Sequence, residues 1–137
     1  MCFEWCKQNK ESWYAIFRIF VGLMFLQHGL QKVFGLLGGV GGASVELFTL
    51  MGAAGIIELI TGITITLGLF TRPSATLAAI TMAVAFIYVH AWQGTSWIPA
   101  LNGGELALLY FAAFLVLGSY GAGKWSLETK LWKKEKF

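Results

Sequence analysis

The chain predicts an all-α integral membrane protein, a four-helix bundle with both termini in the cytoplasm. Three observations carry that reading. Hydrophobic residues make up 57% of the 137 residues and charged residues only 12%, about half the charged share of an ordinary soluble domain. Four apolar stretches meet the roughly 20 residues needed to cross a hydrocarbon core about 30 Å thick. No wide polar face remains on any of them to meet water, which excludes a soluble helical bundle.

The expected helices cover residues 13–35, 52–70, 74–93 and 103–121. Together they occupy most of the chain, so residues 1–137 read as a single transmembrane domain. The first apolar run follows Lys7 and Lys10, as in a secretion signal, but it is too long and no small-residue cleavage pattern closes it. It also contains Arg18, His28 and Lys32, so it reads as a retained span.

The loop after it is rich in glycine (Gly38, Gly39, Gly41, Gly42). It lacks the lysine and hydroxyl ending of a phosphate-binding loop. Residues 45–50 are apolar enough for a short interfacial helix. Thr71-Arg72-Pro73 reads as a tight turn before the third helix. On that helix Ala75, Ala79 and Ala83 recur every fourth residue, a spacing at which two backbones approach closely in lipid.

Lysine and arginine set the orientation. Lys7 and Lys10 precede the first span, Arg72 lies between the second and third, and Lys124, Lys130, Lys133, Lys134 and Lys136 follow the fourth. The other two loops contain none, so both termini and Arg72 are expected inside, in a plasma or inner membrane. Trp13, Tyr14, Tyr120 and Trp125 would mark the inner boundary, Trp92 and Trp97 the outer one. The net charge of +3 resides largely in the tail, residues 122–137. No groove-reading motif accompanies it, so nucleic acid is not an expected partner. Cys2 and Cys6 would be cytoplasmic and reduced.

Charges inside lipid point to function. A charged group at a helix centre costs about 2.5–3.5 kcal/mol on insertion scales, so such groups face the bundle interior and find partners. At about 1.5 Å per residue, His28 lies roughly 10 Å and Glu58 roughly 9 Å below the outer surface, nearly level. Lys32 is one turn above His28 on the same face. His90 ends the third helix, Asn102 precedes the fourth and Glu105 begins it. The expected cluster is therefore His28, Lys32, Glu58, His90, Asn102 and Glu105. Arg18 sits apart, nearer the cytoplasm, where it either snorkels inward or stretches toward Glu58. Arg18 and Arg72 read as structural charges. Each hairpin carries a histidine near the outer end of its first helix and a glutamate near the outer start of its second, which suggests an internal duplication.

The cluster suits some ligands better than others. The helical HEXXH or EXXH spacing of a metal site is absent and Lys32 would repel the ion, so no metal is expected. Two histidines at unequal depth fit haem poorly. A quinone head group asks for two hydrogen-bond donors, an apolar slot and a proton path. His28, Lys32 and His90 can donate, Glu58 and Glu105 can relay protons, and Phe25, Phe86 or Tyr110 can contact the ring. The alternative is structural: His28, Lys32 and Glu58 neutralise one another and fix the packing.

The ordered motifs Arg18-Ile19-x-x-Gly22-Leu23-x-Phe25-x-x-His28-Gly29-Leu30-x-Lys32-x-Phe34-Gly35, Glu58-Leu59-x-x-Gly62, Gly68-Leu69-Phe70-Thr71-Arg72, His90 and Asn102-Gly103-Gly104-Glu105-x-Ala107 resemble the DoxX family. The resemblance spans almost the whole apolar chain. It implies a small four-helix inner-membrane protein. Some such proteins are subunits of a thiosulfate:quinone oxidoreductase, others belong to oxidative-stress and thiol-handling assemblies with soluble partners, and many have no assigned reaction. It implies no agreed catalytic set.

The expected function is thus a quinone-linked, redox-associated subunit that acts with a protein partner or as a homo-oligomer in the bilayer. The chain carries no flavin, dinucleotide or iron–sulfur fingerprint, so catalysis would need a partner or a bound cofactor. The alternatives are a structural or assembly subunit without catalysis and, third, an oligomeric transporter of small solutes or protons.

Overall fold

Left-handed glycines and a buried arginine decide where the helices stop and how they pair. The computed structural model describes residues 5, 7–94 and 96–133; Cys2, Cys6, Lys134 and Lys136 fall outside them. Among the described residues the chain is helical, without strands. α1 spans Lys10–Phe34, α2 Leu50–Leu67, α3 Thr71–Val84, α4 Pro99–Asn102, α5 Glu105–Tyr120 and α6 Leu127–Trp132. α3 runs on into a π-helical stretch, Ala85–Trp92, so that 22 residues form one apolar rod. Among the described residues three helices are long and apolar enough to cross a membrane: α1, α2 and α3 with its extension. α5 is apolar but has only 16 residues.

The observed ends differ from the expected ones for identifiable reasons. α1 ends at Gly35 (φ 67°) and α2 at Gly68 (φ 65°), both left-handed. Such a residue lets its own N–H and the next one turn back onto the last carbonyls; here Gly68 N–H donates to Ile65 O and Leu69 N–H to Thr64 O. The turn between α2 and α3 is therefore Gly68–Phe70, and Thr71-Arg72-Pro73, expected as that turn, is the first turn of α3. Proline is tolerated there because first-turn N–H groups have no helical partner.

Residues 45–50 do not form the expected interfacial helix. Val45 N–H donates to Lys32 O. Thr49 caps α2, donating its hydroxyl to Glu46 O (2.6 Å) and accepting from Gly52 N–H (3.1 Å). These bonds hold the segment as a strap across the end of the first hairpin.

α1 and α2 form one antiparallel hairpin, and α3 and α5 form the other. Glycines bring α1 and α2 into backbone contact. A Cβ on Gly62 would lie 2.6 Å from the Leu26 nitrogen, and one on Gly22 2.7 Å from the Thr66 nitrogen. A shared core of Phe25, Ile65, Ala75, Ala79, Tyr110 and Phe114 joins the hairpins. Ala75 and Ala79 are thus spent on packing within the chain.

Each hairpin is closed at the same end by an arginine from its first helix. Arg18, fully buried, donates from Nη1 to Ile65 O (2.6 Å) and Thr66 O (2.9 Å) at the end of α2. Its Nη2 donates to Lys124 O (3.3 Å) and Trp125 O (3.0 Å). Arg72 donates to Gly118 O (3.0 Å), Ser119 O (2.6 Å) and Tyr120 O (3.2 Å) at the end of α5. Arg18 therefore neither reaches Glu58 nor snorkels to water; it reads the unsatisfied carbonyls of a helix C-terminus, where a cation is favoured. The tail is also more ordered than a solvated basic extension. Ala122 and Glu128 are fully buried, Ser126 caps α6, and Glu128 N–H donates to Gly68 O (3.0 Å).

Candidate functional site

Glycine creates the site as much as charge does. Gly55 lies where a Cβ would stand 2.7 Å from Lys32 Cβ, so Lys32 can run along α2 and reach Glu58. Lys32 Nζ meets Glu58 Oε1 at 2.5 Å. Glu58 is 1% exposed and the Lys32 side chain 16%, so the pair is withdrawn into the first hairpin near its loop end.

Two buried oxygens beside this pair have no hydrogen-bond partner among the described residues: Glu58 Oε2 and the Tyr110 hydroxyl. Tyr110 comes from α5, on the face that also buries Ala107, Phe114 and Leu117. It lies within coulombic range of Glu58 and packs against Phe25 (5.2 Å between ring centres) and Phe114 (5.7 Å). The half-buried His28 meets Tyr110 edge to face at 5.7 Å. A carboxylate, its ammonium partner, an imidazole and a phenol thus converge where three helices meet. Unpaired buried oxygens are uncommon in folded proteins and mark a place to look for a ligand, an ion or a structural role.

The other expected members lie elsewhere. His90 Nδ1 faces Asn102 O at 3.2 Å. Asn102 donates from Nδ2 to Ser96 O (2.9 Å) and accepts from Gly104 N–H (2.8 Å), which folds the last loop back onto the π-helical stretch. Glu105 is exposed at the start of α5. No hydrogen bond or ion pair among the described residues joins His90, Asn102 or Glu105 to the Lys32–Glu58 pair. The six expected residues therefore divide into a buried cluster (His28, Lys32, Glu58), a loop latch (His90, Asn102) and an exposed acid. Arg18 and Arg72 are the helix-end clamps described above. Tyr110, expected only as a ring contact, buries its hydroxyl there as well; its position as a phenol midway along an apolar helix is the sequence signal for that.

Two cavities are lined by none of His28, Lys32, Glu58 or Tyr110, although Phe114 borders the first. One of about 450 Å³ is an apolar groove between α3 and α5, lined among others by Ala79, Ala83, Ile87, Phe111 and Leu115. Another of about 570 Å³ lies at the far end of α2, beside the tail.

Apolar helices long enough to span a bilayer, with an ion pair sealed between two of them, define a helical membrane protein. The DoxX family model matches residues 14–91, more than half of the chain. The chain belongs to the DoxX family. It is 39% identical over 125 residues to an uncharacterized protein of Haemophilus influenzae, covering 88% of this chain and 91% of that protein. A second uncharacterized protein of the same organism is 38% identical over 76 residues, covering 56% of this chain and 49% of that protein. No solved structure matches the chain.

Proposed function

We propose that the chain is a four-span inner-membrane subunit, termini cytoplasmic, that holds a quinone head group for a redox partner. The observation that carries this reading is the pair of unpartnered oxygens, Glu58 Oε2 and Tyr110 Oη, buried on two different helices with the Tyr110 ring against His28. A quinone carbonyl accepts hydrogen bonds, and a phenol and an imidazole are donors that can meet it. Phe25 and Phe114 supply apolar walls. Tyr110 and His28 bind and orient the head group. Glu58, held ready by Lys32, supplies or takes up a proton at Oε2. The quinone contributes two-electron carrier chemistry; the partner contributes the electron source. α5 completes the fourth span in this reading, and the lysine distribution supports both termini lying inside.

Quinone extracted from the purified full-length chain tests the proposal. Wild type is expected to yield about one quinone per chain. Tyr110→Phe and His28→Ala each leave the Lys32–Glu58 pair intact, so both fold, and each is expected to lower bound quinone at least about tenfold, a loss on the order of 1.4 kcal/mol. Wild-type protein with no quinone above background, or a Tyr110→Phe protein with its full complement, would overturn the reading.

A second reading, a structural subunit without catalysis, is favoured by the closed Lys32–Glu58 bond. There the pair fixes the register of α1 against α2, and neither variant changes quinone content.

A further inference from the structure

The second cavity is separate from this site and lies roughly 12 Å further along α2, judged from helix rise. It has a volume of about 570 Å³ and is lined by Thr66, Leu67, Lys124, Trp125, Ser126 and Lys130, among others. We propose that it binds the phosphate head group of an anionic phospholipid.

Position is the first argument. Thr66 and Leu67 are the last turn of an apolar helix, so the cavity opens at the boundary between hydrocarbon and head groups. Leu67 and Trp125 are outwardly exposed (43% and 59%), which gives acyl chains an apolar wall beside the opening. A tryptophan at this level is the usual interfacial anchor.

Charge is the second. Lys124 and Lys130 bring two ammonium groups to one concavity, with no acidic side chain among its lining residues. Basic recesses between helices at this depth match lipid phosphates, and lysines near an anionic surface add electrostatic attraction.

Construction is the third. Arg18 pins the Lys124 and Trp125 carbonyls. Lys130 sits on α6, which is capped by Ser126 through Thr129 N–H (3.2 Å) and tied to Gly68 by Glu128 N–H. Both lysines are therefore presented from fixed backbone, unlike the lysines of a free tail. The cavity and its lysines are independent of the quinone reading.

Native mass spectrometry of the full chain in detergent tests this, with phosphatidylglycerol and phosphatidylcholine of identical acyl chains as probes. Phosphatidylglycerol is expected to bind at least about tenfold more tightly. The exposed double substitution Lys124→Gln, Lys130→Gln is expected to erase that preference and leave quinone content unchanged, whereas Lys133→Gln preserves it. The proposal falls if the double variant keeps the preference, or if Lys133→Gln weakens it equally, since diffuse tail charge then suffices. It also falls if millimolar inorganic phosphate displaces the lipid, since the cavity then serves a free anion.

Discussion

Lys32 and Glu58 show how one bond can be both costly and necessary. Each charge is expensive in the interior, and their mutual contact with added hydrogen bonding offsets that expense only while both are present. Lys32→Met alone strands the carboxylate and is expected to cost about 3–5 kcal/mol. The double substitution Lys32→Met, Glu58→Leu is expected to recover most of that loss. Reversible unfolding in mixed detergent measures both, and a double variant as unstable as the single one would contradict the account. This pair was legible in the sequence because helix rise converts residue number into depth, and Glu58 and His28 came out level. Depth says nothing about direction around the helix axis, however. Hence Glu105, correctly placed near the loop end of its helix, turned out exposed, and His90 spent its ring nitrogen on the loop at Asn102. The histidine and glutamate pattern that suggested a duplication therefore joins a buried, paired Glu58 to an exposed Glu105. The hairpins share their arginine clamps rather than that chemistry.

Helices meet here through missing side chains. Gly22, Gly29 and Gly62 let the α1 and α2 backbones touch, which lipid-embedded helices exploit for van der Waals contact in the absence of a hydrophobic driving force. Gly62→Leu places its side chain against the Leu26 backbone, which cannot retreat as a flexible side chain can. Overpacking of this kind costs about 1–3 kcal/mol. It is expected to lower the thermal unfolding midpoint and, by shifting α1, to reduce quinone binding more than Leu67→Ala, a lipid-facing change. Equal effects of the two on binding would count against the hairpin as the carrier of site geometry. Element existence was readable because apolar length is a strong signal. The ends were less so, because hydropathy passes smoothly through Gly68–Phe70, and only the left-handed backbone stops α2 at Leu67. Residues 45–50 were misread for a related reason: their apolarity suits an interfacial helix, while Thr49 prefers to cap the next one.

Across the whole molecule, two hairpins lean on a common core, and both arginine clamps lie at the end that carries the tail. The proposed topology sends that end to the cytoplasm. With Cys2 and Cys6 replaced by serine, Ser44→Cys is expected to react with a membrane-impermeant maleimide on intact cells, and Lys133→Cys only after lysis. The reverse pattern would invert the orientation. The folded tail was the least legible part of the chain, since lysine-rich composition suggests solvation and conceals the burial of Ala122 and Glu128. One further consequence follows from α5. Its 16 residues extend only about 24 Å, several ångström less than a typical hydrocarbon slab. In the proposed four-span arrangement, lipids beside α5 shorten to meet it, at a fraction of a kcal/mol for each ångström. That arrangement matches one flank of the protein to thin bilayers, and a dimple in the membrane would travel with it wherever it diffuses.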